Sequence, residues 1–149
     1  MSVDRTILSL SAADTESAGR ELASLLLSDA SLPRFVAMFG DLGVGKTAFV
    51  RGFASLAAPG ARVKSPTFAL VNQYKGGACP VFHFDMYRIS SEEELYSIGY
   101  YDYLDAGICL VEWSENIEEF LPDRYIKVSI TKNDTQNTDS RSITLSLVG

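Results

Sequence analysis

The sequence predicts a single α/β domain, with a central mixed β-sheet flanked by helices. Three observations predict it. The continuous apolar run Phe35-Val36-Ala37-Met38-Phe39 fits a strand buried on both faces, as in a parallel sheet. It leads into the glycine-rich stretch Gly40-Asp41-Leu42-Gly43-Val44-Gly45-Lys46-Thr47 and then into a helical pattern. Two segments rich in aromatic and β-branched residues, 68–74 and 81–84, lie either side of Lys75-Gly76-Gly77-Ala78. That is a hairpin signal, so the parallel core should carry antiparallel hairpins.

Taken in order, 5–10 reads as a short strand. Ser11 or Asp14 then caps a helix with Ala18, Leu22, Leu25 and Leu26 at helical spacing. Pro33 interrupts before the apolar run at 35–39. A helix from about 47 to 57 follows the glycine stretch and is ended by Pro59-Gly60. Ser91-Glu92-Glu93-Glu94 opens a short helix with a capping box. A second continuous apolar run, 108–111, ends at Glu112. Two more strands, 125–131 and 142–148, flank a polar turn. No internal repeat, low-complexity tract or linker divides the chain, so one domain spans 1–149.

Composition narrows the function. Of 149 residues, 46% are hydrophobic and 21% charged, the balance of a globular chain with a core. No apolar run approaches the roughly 18 residues of a membrane span. The N-terminus has no basic patch followed by an apolar block, so no signal peptide is expected and the cytoplasm is the expected location. Cys79 and Cys109 have no C-x-x-C spacing and read as reduced thiols rather than a metal or redox site. The net charge of −6 disfavours strong direct binding to nucleic acid, which draws much of its affinity from neutralised phosphates.

The chemistry begins at the glycine stretch. G-x-x-x-x-G-K-T matches at every fixed position and sits between a buried strand and a helix, the context of a P-loop in a P-loop NTPase-like domain. Its glycines let successive backbone N–H groups of Asp41, Leu42, Gly43, Val44 and Gly45 turn toward phosphate oxygens. Lys46 would reach the β- and γ-phosphates, Thr47 would place its hydroxyl on a magnesium ion, and the following helix adds its positive dipole end. Such a site also needs an acid at the end of a neighbouring strand. Glu112 and Asp85 both qualify. Glu112 is favoured for the metal because its strand reads as central; Asp85 would act on the metal shell or the attacking water.

Ser65-Pro66-Thr67 is either a loop in which Thr67 senses the metal or γ-phosphate, or a plain strand-entry turn. His83, the single histidine, alternates with apolar residues and reads as a packed strand residue. Trp113 is either core or a lid over the nucleotide. Tyr96, Tyr100, Tyr101 and Tyr103 either cover the core or form a partner surface. D-x-x-G is absent, and Thr131-Lys132-Asn133-Asp134 only scrambles N-K-x-D, so ATP is expected rather than GTP. The rival class is a P-loop kinase for a small molecule. Such kinases use an acceptor pocket and an arginine-rich lid, for which Arg88 is the candidate near the acidic strand ends. A Mg-dependent ATPase that switches a partner fits this short chain better.

Several segments together resemble one family. Gly40 to Thr47, Ser65-Pro66-Thr67-Phe68, His83-Phe84-Asp85-Met86-Tyr87-Arg88, Glu93-Glu94-Leu95, Asp102-Tyr103-Leu104 and Val111-Glu112-Trp113 occur in the order seen in the TsaE (YjeE) family. These are the bacterial ATPases of tRNA threonylcarbamoyladenosine (t6A37) modification. The resemblance implies ATP and Mg2+ as cofactors, slow hydrolysis alone, and TsaD and TsaB as partners, with tRNA met only through the complex. It also implies Lys46 and Thr47 as phosphate and magnesium contacts, Glu112 as a metal ligand, Asp85 as a hydrolysis residue and Trp113 as a nucleotide neighbour. Thr15, in a T-E-x-x-G segment, matches an N-terminal nucleotide contact, and Arg141 a C-terminal one. Two positions depart from the family pattern: Ser114 stands where proline is common, and Val44 where alanine is usual.

Overall fold

A computed structural model describes residues 3–40, 45–66, 70–133 and 140–149. Asp41, Leu42, Gly43, Val44 and Thr67, all expected around the nucleotide, lie outside the described residues.

The chain builds seven strands, β1 Arg5–Ser9, β2 Phe35–Phe39, β3 Val71–Tyr74, β4 Val81–Asp85, β5 Ile108–Glu112, β6 Tyr125–Lys132 and β7 Arg141–Val148. They form one sheet in the order β1-β7-β6-β2-β5-β4-β3. The four middle strands, β6-β2-β5-β4, run parallel to one another. The outer pairs, β1 with β7, β7 with β6 and β3 with β4, are antiparallel. The mixed sheet read from the sequence is therefore present, and the 75–78 turn does join a hairpin.

Strands β4 and β5 are buried along their whole length, as is β2 through Met38. They can be apolar on both faces because both faces are covered. On one face, α1 Ala12–Ser28 and α2 Lys46–Ala57 press Leu22, Leu26, Phe49 and Phe53 onto Val36, Met38, Leu110 and Ile126. On the other, α3 Glu92–Ser97, α4 Tyr100–Tyr103 and a 3-10 segment at Ser114–Phe120 enclose Phe35, Ala37, Phe84, Cys109 and Val111. Burying apolar surface on this scale supplies roughly 25 cal/mol per Å2, the main favourable contribution to folding.

Ser11, not Asp14, is the N-cap of α1: its hydroxyl accepts from the Asp14 N–H, while the Asp14 carboxylate takes the Leu10 N–H. Ser91 caps α3 by accepting the Glu94 N–H. The tyrosines divide between the two readings. Tyr100 is fully buried and donates to the Phe120 carbonyl at 2.9 Å, and Tyr103 packs on Phe82 and Phe84. Tyr96 is exposed and stacks on Tyr101.

Helices α1 and α2 touch backbone to backbone. A Cβ on Gly19 would lie 2.0 Å from the Phe49 carbonyl oxygen, and one on Gly52 only 1.8 Å from that of Glu16. Both positions demand glycine for space. The glycine of T-E-x-x-G is thus what lets α1 lie against the helix that follows the glycine stretch.

Candidate functional site

The parallel strands end together at one edge of the sheet, the edge at which open α/β sheets hold ligands. Strand β2 delivers Gly40 there, and α2 starts there at its N-cap Gly45, whose φ of +100° suits a residue without a side chain. The start of α2 brings its first backbone N–H groups and the positive dipole end to this edge. A cleft of about 490 Å3 opens beside it, lined by Lys46, Thr47, Asp85, Arg88, Glu112 and Trp113, with Ser65, Tyr87 and Arg51 at its walls.

Period-two alternation explains the acids. On β4 the side chains of Val81, His83 and Asp85 share a face; on β5 Ile108, Leu110 and Glu112 share the same one, toward α2. The two strands pair with Asp85 opposite Glu112. Each face thus begins apolar at the far end and becomes acidic at the cleft. Asp85 is nearly buried and accepts the Tyr87 N–H at 2.9 Å. Glu112 is also nearly buried, with its Oε2 on His83 Nε2.

Lys46 is 5% exposed. Its Nζ donates to the Gly40 carbonyl at 2.6 Å and lies 3.8 Å from the centre of the Trp113 ring. Trp113 is held there by a left-handed backbone, φ +59°, uncommon for so large a residue. Its ring also packs on Tyr87, 4.9 Å between centroids. Trp113 therefore lines the cleft while also packing, partly buried, against the core around Phe84 and Val111.

Thr15 and Arg141 sit near this edge but do not line the cleft. The Thr15 methyl is 3.8 Å from where a Cβ on Gly45 would be, while its hydroxyl is 2.7 Å from the Ser9 hydroxyl. Arg141 opens β7 opposite Ser9 and donates to the Ser140 carbonyl.

Two groups were not singled out for a role in the sequence. Glu115, at the start of the 3-10 segment, accepts the Gly40 N–H on Oε2 at 3.2 Å and braces the entry to the glycine stretch. Its other oxygen is buried with no partner among the described residues. His83 is fully buried as expected of a packed strand residue, but it is hydrogen-bonded through both ring nitrogens. Tyr74, across the β3–β4 hairpin, meets its Nδ1 at 2.9 Å. Burial pushes the Tyr74 phenol above its ordinary range, so it keeps its proton.

The donor set suits a hard cation. Two carboxylates and a threonine hydroxyl offer oxygen only, the ligands magnesium takes alongside phosphate oxygens and water. No group of three or more acidic, histidine or cysteine side chains able to cage a metal exists among the described residues.

A family model described as "Threonylcarbamoyl adenosine biosynthesis protein TsaE" matches residues 9–143. The Bacillus subtilis (strain 168) protein named tRNA threonylcarbamoyladenosine biosynthesis protein TsaE is 37% identical over 131 residues, covering 87% of this chain and 80% of that one. Its namesake from Haemophilus influenzae is 39% identical over 129 residues, 85% and 79% of the two chains. The crystal structure of Bacillus subtilis YdiB superposes with a TM-score of 0.76 at 29% identity, over 100% of this chain and 88% of the other. The agreement of motif order, sheet architecture and these matches leads to one conclusion: the chain belongs to the TsaE family.

Proposed function

We propose that this protein binds ATP with Mg2+ and hydrolyses it as the ATP-using component of tRNA t6A37 modification, acting with TsaD and TsaB in the cytoplasm. The observation that carries the ATPase reading is the pairing of Asp85 and Glu112 in register at the cleft, facing Lys46 and Thr47 at the start of α2. The place in t6A biosynthesis rests on the names of the relatives.

Each residue has a task in this reading. The Lys46 ammonium leaves the Gly40 carbonyl to bind phosphate oxygens, and the N–H groups that open α2 bind them from behind. Thr47 and Glu112 hold the ion, whose charge offsets that of the phosphates. Asp85 orients the attacking water and accepts its proton. Trp113 covers Lys46 and keeps bulk water from it, which strengthens the local electrostatics. Thr15 and Arg141 act from the adjoining edge, where the nucleotide extends beyond the cleft. Thr67 and the backbone of 41–44 complete the phosphate shell. An acidic surface is no obstacle, because TsaD and TsaB would hold the tRNA. No helix among the described residues is long and apolar enough to cross a membrane.

The test is phosphate release from ATP with and without TsaD, TsaB and tRNA. Turnover should rise when the partners are added, and Lys46→Ala should abolish tRNA modification. Normal modification by Lys46→Ala would overturn the proposal. Transfer of phosphate to an added metabolite, with no partner present, would favour a kinase instead.

A further inference from the structure

Behind the cleft a line of hydrogen bonds runs through the interior. The Lys64 N–H donates to the Tyr74 hydroxyl oxygen at 3.3 Å; that hydroxyl meets His83 Nδ1 at 2.9 Å; His83 Nε2 meets Glu112 Oε2. Tyr74, His83 and Glu112 are each at most 5% exposed. The three come from the adjacent strands β3, β4 and β5, so the line crosses the sheet rather than following the chain.

The directions of the bonds can be worked out. A carboxylate only accepts, so Nε2 carries the hydrogen toward Glu112. In a neutral ring Nδ1 then accepts, and the single Tyr74 hydroxyl hydrogen, with Nδ1 at 2.9 Å and the Lys64 carbonyl at 3.1 Å both in reach, goes to the shorter contact. That leaves the Tyr74 oxygen to accept from Lys64. Every donor has an acceptor, as buried polar groups require. An apolar residue would fill the same strand position at lower desolvation cost, so a polar chain this deep needs a reason beyond packing.

We infer that His83, held by Tyr74, is a positioning residue for Glu112: it occupies Oε2 and fixes the carboxylate so that Oε1 is presented to the magnesium ion. This rests on the proposed nucleotide site and deepens it. Metal-binding carboxylates are commonly oriented by such outer partners, and losing one typically costs 10- to 100-fold in metal affinity. Here the support comes from the hairpin edge of the sheet. The Lys64 N–H on the Tyr74 oxygen ties the line to the segment leading into Ser65 at the cleft wall.

The experiment is a magnesium titration of nucleotide binding, followed by the fluorescence of Trp113, the chain's single tryptophan and Glu112's neighbour. It is run on wild type, His83→Ala, His83→Gln and Tyr74→Phe. ADP binding in excess chelator is measured on the same proteins. His83→Ala should raise the magnesium half-saturation about 10-fold or more, with metal-free ADP affinity unchanged. The amide nitrogen of His83→Gln can stand near Nε2, so it should recover most of that loss. Tyr74→Phe keeps the ring and removes the hydroxyl, and should shift the half-saturation in the same direction by less. Should His83→Ala fail to fold, the glutamine and phenylalanine variants carry the test, and wild-type half-saturation in Tyr74→Phe would overturn the inference. A folded His83→Ala with wild-type magnesium dependence would overturn it too, as would equal losses with and without metal. If wild type itself shows no magnesium-dependent nucleotide binding, the proposed function fails rather than the positioning role alone.

Discussion

Asp85 and Glu112 lie side by side as the last residues of adjacent parallel strands, one nearly buried carboxylate beside another. Their partners differ: Asp85 takes a backbone N–H of its own loop, and Glu112 takes the His83 ring. The difference predicts a division of labour. Glu112→Ala should weaken magnesium-dependent nucleotide binding by on the order of 10-fold or more, since removing a ligand costs at least what removing its support does. Asp85→Asn keeps an oxygen for the Tyr87 N–H, so magnesium binding should change little. Turnover should fall by about 100-fold or more, the usual contribution of a general base. Magnesium titrations and steady-state kinetics on both variants decide it; equal or reversed effects would contradict the assignment.

The contact between α1 and α2 leaves no room for a side chain. Gly52→Ala would drive a methyl to 1.8 Å from the Glu16 carbonyl, a clash with backbone that cannot rotate away. The helices must separate, at a cost of about 3 kcal/mol. For a chain of this size that lowers the melting temperature by roughly 10 °C. Gly19→Ala should act in the same direction through the Phe49 carbonyl. Thermal unfolding by circular dichroism checks both, and a wild-type melting temperature in either would show that the helices are free to shift.

Much of this architecture was legible because its signals are local. The run at 35–39, the glycine stretch and the helix after it define a strand–loop–helix unit from spacing alone. The runs before Asp85 and Glu112 marked both acids as strand ends. What stayed hidden depends on which strands are neighbours. His83 alternates with apolar residues, and nothing in its own strand says that Tyr74 and Glu112 flank it from either side. The polar identity of one fully interior position, two residues before an acid on the same face, was the available signal. Glu115 was hidden for a related reason: it acts through a short 3-10 segment whose pattern is too brief to read, on a loop 75 residues away. T-E-x-x-G was legible as a motif, but its glycine serves the helix crossing, a tertiary contact that spacing cannot reveal.

Trp113 contributes to the site through Lys46. Its left-handed backbone costs about 1–3 kcal/mol, which the ring contacts to Lys46 and Tyr87 help offset. A cation over an indole face gains about 0.5–2 kcal/mol, and a benzene ring keeps part of that. Trp113→Leu should therefore weaken ATP binding by about fivefold, with Trp113→Phe between it and wild type. Calorimetric titration measures this without the lost fluorophore. Unchanged affinity in Trp113→Leu would show that the ring is not needed to hold Lys46.

The two thiols should behave differently. Cys109 lies in the middle of β5, where burial and then the charge of Asp105 push its thiol up to about 12; Cys79 is half-buried. The thiolate is the reactive form, so iodoacetamide at neutral pH should label Cys79 alone in the native protein and both in denaturant. The same shift has a consequence for stability. The folded value lies above the ordinary one near 9, so between the two the native state holds a proton that the unfolded chain has lost. The contribution is complete below about pH 9 and is lost as pH rises toward 12, at up to about 1.4 kcal/mol per pH unit. Cys109→Ala lacks the group, so its denaturant midpoint should fall less steeply than wild type's between pH 9 and pH 11. Parallel slopes would show that the alkaline loss comes from the buried tyrosines instead.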